Sequence, residues 1–157
     1  MARVLIVGCG SRGQALAREL AAAGHAVRGT TRSPDRLADI EAAGAEAVQA
    51  DPDRLATLTP AIEGVSVVCW LMGTATGDEA AALHAERLES MLEHIVDTPV
   101  RGLVYETGGV PRPEGVAAAE RVARTYAMPV ELVEADPSQH DEWTAATAAA
   151  VQRVLSA

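Results

Sequence analysis

An uninterrupted apolar run, followed at once by regularly spaced glycines, constrains the fold of this 157-residue chain more than any other feature. Residues 4–7 read Val-Leu-Ile-Val, and Gly8, Gly10 and Gly13 follow in the pattern Gly-x-Gly-x-x-Gly. A strand without polar alternation is typically buried on both faces, as in a parallel sheet. Residues 12–23 then carry apolar side chains at helical spacing. We therefore predict a strand, a glycine loop and a helix that together begin a parallel sheet.

The same alternation of strand and helix continues along the chain. We predict strands at 4–7, 26–30, 45–50, 65–71, 102–105 and 130–133, and helices at 12–23, 34–43, 53–63, 78–96, 114–127 and 141–156. Gly24 is the predicted C-terminal cap of the first helix, and Ser33 the N-cap of the second. Short loops between alternating elements predict an α/β fold with helices on both faces of a parallel sheet. Six strands in two halves predict the doubly wound order 3-2-1-4-5-6, in one domain over 1–157.

Composition and charge exclude several function classes. All 13 basic residues are Arg, so the chain has no P-loop lysine, no Schiff-base lysine and no Tyr–Lys proton relay. The net charge of −9 argues against nucleic acid and anionic membranes as partners. Residues 1–34 nevertheless contain five arginines and one glutamate, a net charge of +4, while the rest of the chain carries −13. A small anion could therefore be held near the N-terminal end. A hydrophobic fraction of 48% with only 3% aromatic residues predicts a largely aliphatic core.

Neither a metal site nor a disulfide framework is predicted. Cys9 and Cys69 lack metal-ligand spacing, and Cys9 is interpreted as a small residue that fills the glycine loop. His140, Asp141 and Glu142 are interpreted as a cap and first-turn acids of the last helix. The longest apolar stretch, 67–72, is far shorter than the roughly 18 residues that span a bilayer. Without a signal-peptide pattern at the start, we expect a soluble cytoplasmic protein.

The glycine loop indicates a phosphate site. Gly8 permits the tight turn, Gly10 lets the backbone approach a pyrophosphate, and Gly13 allows close packing of the helix on the strand. The helix N-terminus at Ser11 offers unpaired N–H groups and about half a positive charge to the phosphates. A glycine-rich turn without a ligand is the structural alternative, and the same loop could also hold FAD or another nucleotide.

The end of the second strand favours NADP over NAD. An NAD site usually has a carboxylate there, about 20 residues past the glycines. This chain has Thr30, Thr31, Arg32 and Ser33 instead. Hydroxyls and a planar guanidinium suit a 2′-phosphate, and Arg12 in the glycine loop could flank the same group. Arg32 as a solvated loop charge is the alternative, and Ser33 could act as a cap as well.

The ends of the third and fourth strands supply further candidates. Asp51 is placed to accept the adenine amino group, or else to form a turn before Pro52. Met72, Gly73 and Thr74 would lie beside the ribose and diphosphate at the crevice of a doubly wound sheet, although a plain turn also explains them.

The end of the fifth strand should face the nicotinamide. Thr107 could hydrogen-bond a substrate carbonyl, Glu106 could act as acid or base, and Tyr105 is the nearest phenol. No activating partner for these three residues is visible in the sequence, and a strand end followed by a Gly-Gly turn is the structural alternative. We interpret His84 as a packing histidine of the long helix.

Residues 4–33, read with residues 44–51 (Gly-Ala-Glu-Ala-Val-Gln-Ala-Asp), resemble the short-chain dehydrogenase/reductase superfamily. Ala-Gly-His-Ala-Val-Arg at 23–28 brings the likeness closest to its extended and atypical, epimerase/dehydratase-like branches. The resemblance implies a Rossmann domain, bound NAD(P), oxidoreductase or isomerase chemistry, and a homodimer built from helices after strands four and five. It also implies a substrate-binding role for Thr107.

The chain departs from this family in two respects. Tyr126 is followed four positions later by Val130, so the family's Tyr-x-x-x-Lys motif is absent. The chain also ends soon after the sixth strand, so we expect no C-terminal substrate-binding portion. Two functional hypotheses follow. One is an atypical NADP-dependent oxidoreductase or epimerase-like enzyme for a small carbonyl or hydroxyl substrate. The other is a non-catalytic NADP(H) sensor or regulatory subunit.

Overall fold

A six-stranded, fully parallel sheet forms the centre of the molecule. The computed structural model describes residues 2–75 and 77–157, with backbone alone at 77–79. The strands are β1 (Arg3–Val7), β2 (Ala26–Thr31), β3 (Glu46–Gln49), β4 (Val67–Trp70), β5 (Gly102–Glu106) and β6 (Val130–Val133). Their order across the sheet is β3-β2-β1-β4-β5-β6. The predicted doubly wound order is therefore confirmed, and its register sets Ile6 beside both Gly29 and Cys69.

The described part of the chain has seven α-helices, of which the first six lie between strands and the last follows β6. They are α1 (Ser11–Ala22), α2 (Leu37–Ala42), α3 (Leu55–Ile62), α4 (Gly77–Leu83), α5 (Glu86–Ile95), α6 (Pro113–Tyr126) and α7 (His140–Ser156), with a 3₁₀ turn at Pro34–Arg36 before α2. Gly24 follows α1 with a φ of +92°, and its N–H bonds the Ala21 carbonyl, as expected of a C-terminal cap. None of the helices in the described ranges is long and apolar enough to cross a membrane.

The strand residues alternate between two apolar clusters. Leu5 and Val7 face the cluster under α3, α5 and α6, whereas Val4 and Ile6 face the cluster under α1, α2 and α7. Aliphatic side chains dominate both clusters, as predicted, but the two tryptophans and Tyr105 are also fully buried. Burial of both strand faces explains why β1 shows no polar alternation.

Three predicted helices and one predicted cap differ from the structure. The helix predicted over 34–43 is a 3₁₀ turn at Pro34–Arg36 followed by α2. The helix predicted over 78–96 is two helices, because Ala85 leaves helical geometry with φ −136° and ψ −95°. At that break the Leu83 carbonyl accepts the indole N–H of Trp70 at 2.9 Å instead of continuing the helical pattern. The helix predicted to begin at 53 begins at Leu55. Ser33 occupies the predicted cap position, but its side chain makes no capping hydrogen bond.

Candidate functional site

A cleft of about 360 Å³ opens at the carboxyl ends of β1 to β4. The glycine loop, the ends of β2 and β3, and the segment after β4 form its walls. Its lining residues are Gly8, Cys9, Gly10, Thr30, Thr31, Arg32, Arg36, Ala50, Pro52, Leu71, Met72, Thr74, Ala75 and Leu83. This is the switch point of the strand order, where open α/β sheets bind ligands.

The glycine loop has the geometry that a diphosphate requires. Gly8 has a φ of +85°, which only glycine adopts readily, and its N–H donates to the Thr30 hydroxyl at 3.3 Å. A Cβ on Gly10 would meet no heavy atom within 4 Å, so this face of the loop is open to a ligand. A Cβ on Gly13 would lie 3.2 Å from both the Cys9 sulfur and an Ile6 methyl, so α1 packs closely on β1. The residues present therefore fit a phosphate-bearing dinucleotide next to the N-terminus of α1.

Two arginines line the β2 side of the cleft. Arg32 follows β2 directly, and Arg36 is brought to the same wall by the 3₁₀ turn. Both residues are solvent-exposed, and the Thr31 hydroxyl accepts the backbone N–H of Ser33 at 3.2 Å. Arg36 was not among the predicted residues, because a continuous helix from 34 gave no sign that its side chain would turn to the cleft.

Asp51, which was predicted for the cofactor site, and two residues that were not, Arg28 and Cys9, have structural roles. The Asp51 carboxylate accepts the backbone N–H of Asp53 at 2.9 Å, which is the turn role that the sequence left open. Arg28, one of the five arginines in 1–34, donates to the carbonyls of Ala61 and Glu63 at the end of α3. Cys9 fills the loop, and burial raises the pKa of its thiol to about 12, so the protonated thiol is favoured at neutral pH.

Arg12 is not among the residues that line the cleft, and its side chain pairs with Glu106, 94 residues along the chain. The two side chains form a bidentate ion pair, with one N–O distance of 3.1 Å. The guanidinium also stacks on Trp143, 4.5 Å from the ring centroid, and approaches the Thr74 hydroxyl at 3.5 Å. On its other side, Arg12 lines a recess of about 80 Å³ together with Ser11 and residues of α7.

Glu106 is the centre of this cluster and is completely buried. Besides Arg12, its carboxylate accepts the indole N–H of Trp143 at 2.7 Å and the backbone N–H of Gly73 at 2.9 Å. The loops after β4 and β5 touch here, because a Cβ on Gly108 would overlap the carbonyl oxygen of Gly73. Four donor groups therefore hold the Glu106 carboxylate in one position.

Tyr105 and Thr107 are also buried. The Tyr105 hydroxyl lies 2.7 Å from Nδ1 of His84, whose Nε2 lies 2.8 Å from the Met72 carbonyl. This carbonyl can only accept, so Nε2 carries the proton and Nδ1 accepts from the phenol. Thr107 bonds to the Val133 carbonyl through its backbone N–H at 3.0 Å. Burial raises the pKa of Tyr105 to about 12.

His84 should make stability depend on pH. Burial lowers its pKa below the ordinary value of 6.5, and Arg112 adds to this effect, against a hydrogen bond to Met72. Below pH 6.5, His84 therefore binds a proton more readily in the unfolded chain than in the folded one. The contribution of neutral His84 to the free energy of unfolding is fully present above pH 6.5 and decreases as the pH falls below that value. Chemical denaturation between pH 7.5 and 5.5 measures the free energy of unfolding at each pH. This free energy should fall more steeply with decreasing pH in the wild type than in His84→Gln, by at most about 1.4 kcal/mol per pH unit. Parallel curves would contradict this assignment.

Known proteins match this chain in family and in fold. The sequence matches a family described as NAD(P)H-binding over residues 8–108, which include the glycine loop and all of β2 to β5. No match was found among curated proteins.

Solved structures with this fold include a protein from Bacillus halodurans described as a putative NAD-dependent epimerase/dehydratase, with 18% identity and a TM-score of 0.66 over 84% of this chain. The triphenylmethane reductase of Citrobacter sp., complexed with NADP(H), has 18% identity and a TM-score of 0.63 over 83% of the chain. An NADPH-dependent quinone oxidoreductase from Escherichia coli has 17% identity and a TM-score of 0.59 over 84%.

The chain covers 69% of the Bacillus protein, but only 48% and 46% of the other two. At these identities the structural similarity establishes the fold alone. The family match spans well over half of the sequence and includes the cleft's glycine loop. The chain therefore belongs to the NAD(P)H-binding family.

Proposed function

We propose that this chain binds NADP(H) in the cleft, with the diphosphate at the glycine loop and the 2′-phosphate at Arg32 and Arg36. The observation that carries this proposal is the pair of arginines that line the cleft beyond β2, where an NAD site would have a carboxylate. The open face of Gly10 supports the position of the diphosphate. Ala50, Pro52 and Leu83 add an apolar lining to the same cleft, which suits an adenine ring.

The coenzyme preference is tested by calorimetric titration with NADPH and NADH. We expect NADPH to bind at least 10-fold tighter. Arg32→Ala should weaken NADPH binding by about 10- to 100-fold, because it removes one charge-assisted contact to the phosphate. It should leave NADH binding nearly unchanged. Arg124→Ala, an exposed position on α6, makes the same change in net charge and should alter neither affinity. NADH binding as tight as NADPH binding would overturn the proposal.

The activity coupled to this binding has two candidates. Burial of Tyr105, Glu106 and Thr107, with exposures of 0%, 0% and 3%, favours a sensor or regulatory subunit without turnover of its own. The absence of lysine, and hence of a Tyr–Lys relay, favours the same role. The second candidate is an oxidoreductase or epimerase-like enzyme for a small carbonyl or hydroxyl substrate. The hydrogen bond from Tyr105 to His84 favours it, since it supplies the phenol with a proton acceptor. Bound NADPH would supply the hydride in that case.

A panel of small carbonyl compounds with NADPH separates these candidates. A sensor should bind NADPH, and the rate of NADPH oxidation should be the same with and without the protein. Turnover that is lost in both Thr107→Ala and Tyr105→Phe would establish the enzyme instead. We also propose that residues 1–157 form a single domain, that the protein is a homodimer and that it is cytoplasmic.

A further inference from the structure

The cleft extends over the carboxyl ends of β1 to β4. Its lining among the described residues comes from the ends of β1, β2, β3 and β4 and from Leu83, with none from β5 or β6. In this architecture, one mononucleotide-binding half holds each nucleotide of a dinucleotide. The available space therefore includes the half that contains β1 to β3 and the two arginines, together with the end of β4, and it does not reach the end of β5.

The end of β5, which would face the second nucleotide, is filled by the chain's own side chains. Arg12 leaves the glycine loop, approaches Thr74 at the edge of the cleft and ends on Glu106. Its side chain is 14% exposed, and the Glu106 side chain is not exposed at all. Trp143, on α7, covers the pair, and its ring centroid lies 4.5 Å from the guanidinium carbon of Arg12.

The backbone closes the same region. The loops after β4 and β5 meet at Gly73 and Gly108, where neither residue has space for a Cβ. The N–H of Gly73 is already bonded to the Glu106 carboxylate at 2.9 Å, so it is not free to bind a ligand. A ring entering between these loops would have to break a buried ion pair with four hydrogen-bond donors on one carboxylate, which is costly.

We infer that the site recognises the 2′-phosphorylated adenosine diphosphate portion of the coenzyme and does not enclose the nicotinamide ring. Its ligand class therefore includes 2′-phosphorylated adenine nucleotides that lack nicotinamide. This inference rests on the proposed function, because it places the 2′-phosphate at Arg32 and Arg36 and the diphosphate at the glycine loop. A protein of this kind would respond to the total amount of such nucleotides and not to the redox state of the nicotinamide.

Calorimetric titration of the intact chain with NADP⁺, NADPH and 2′-phospho-ADP-ribose tests the inference. The third compound is the coenzyme without its nicotinamide. We expect the three dissociation constants to agree within about threefold. NADP⁺ or NADPH binding more than 10-fold tighter than 2′-phospho-ADP-ribose would overturn the inference and leave the proposed function standing. If none of the three binds at millimolar concentration, the proposed function itself fails, and the inference fails with it.

The indole N–H of Trp143 provides a second, local measurement. The chain has two tryptophans, so a ¹⁵N–¹H spectrum should show two indole signals, which Trp143→Phe assigns. Saturation with NADP⁺ and with 2′-phospho-ADP-ribose should leave the Trp143 signal at the same position, because its bond to Glu106 is intact in both complexes. A displacement of this signal by NADP⁺ alone would show that the nicotinamide reaches the cluster, and would overturn the inference.

Discussion

Replacing Glu106 with alanine should lower the free energy of unfolding by about 3–5 kcal/mol, because it leaves the charge of a largely buried arginine without its partner. The carboxylate of Glu106 is fully buried and also satisfies the indole of Trp143 and the amide of Gly73. For a chain of 157 residues, this loss corresponds to a drop in Tm of about 10 °C. Urea denaturation at pH 7 measures it directly.

An exposed ion pair provides the matched control. Glu89 pairs with Arg121 at 2.6 Å, with both side chains about half exposed, at 46% and 51%. Glu89→Ala removes the same chemical group and should cost less than about 1 kcal/mol. The double variant Arg12→Met/Glu106→Leu should recover part of the stability that Glu106→Ala loses, because neither charge is then left unpaired. A loss below 1 kcal/mol for Glu106→Ala would show that the buried cluster is not held together as described.

Gly10→Val should abolish most coenzyme binding without unfolding the protein. Gly10 has extended backbone geometry, with φ −82° and ψ −157°, and a Cβ there meets no neighbouring heavy atom. Stability should therefore change by less than about 1 kcal/mol, since valine favours extended geometry. The valine side chain would occupy the space in which the diphosphate meets the loop. Loss of two charge-assisted hydrogen bonds weakens binding by at least about 100-fold.

Thermal melts and titrations with NADPH on the same preparations separate the two effects of this substitution. A folded Gly10→Val variant that binds NADPH as tightly as the wild type would show that the diphosphate lies elsewhere. Gly13→Val is the contrasting variant, because a Cβ there already crowds Cys9 and Ile6 and should reduce stability as well.

The sheet order could be predicted from the sequence because its signals are local. The central strands β1 and β4 contain short apolar runs, the glycine loop follows the first of these directly, and glycines and prolines mark the ends of most helices between the strands. The contacts that define the cluster at β5 are not local. Arg12 and Glu106 are 94 residues apart, and Trp143 lies a further 37 residues along the chain. Each residue alone has the pattern of an ordinary surface or core position, so no spacing rule brings the three together.

The break between α4 and α5 has the same kind of cause. Helical periodicity continues through residues 78–96, and no proline or glycine interrupts it there. The interruption follows tertiary bonds, from Trp70 to the Leu83 carbonyl and from His84 to Tyr105. Tertiary contacts of this kind override local propensity. His84 was correctly predicted to be a packing residue, but its role as the hydrogen-bond partner of Tyr105 could not be predicted without the fold.

A crystal of this protein soaked with NADP⁺ tests the central claim most directly. We predict density for the adenosine portion in the 360 Å³ cleft, the diphosphate against the amides of the Gly8–Gly10 loop, and the 2′-phosphate between Arg32 and Arg36. A cleft that stays free of coenzyme under saturating conditions, or a 2′-phosphate turned away from both arginines, would contradict the account.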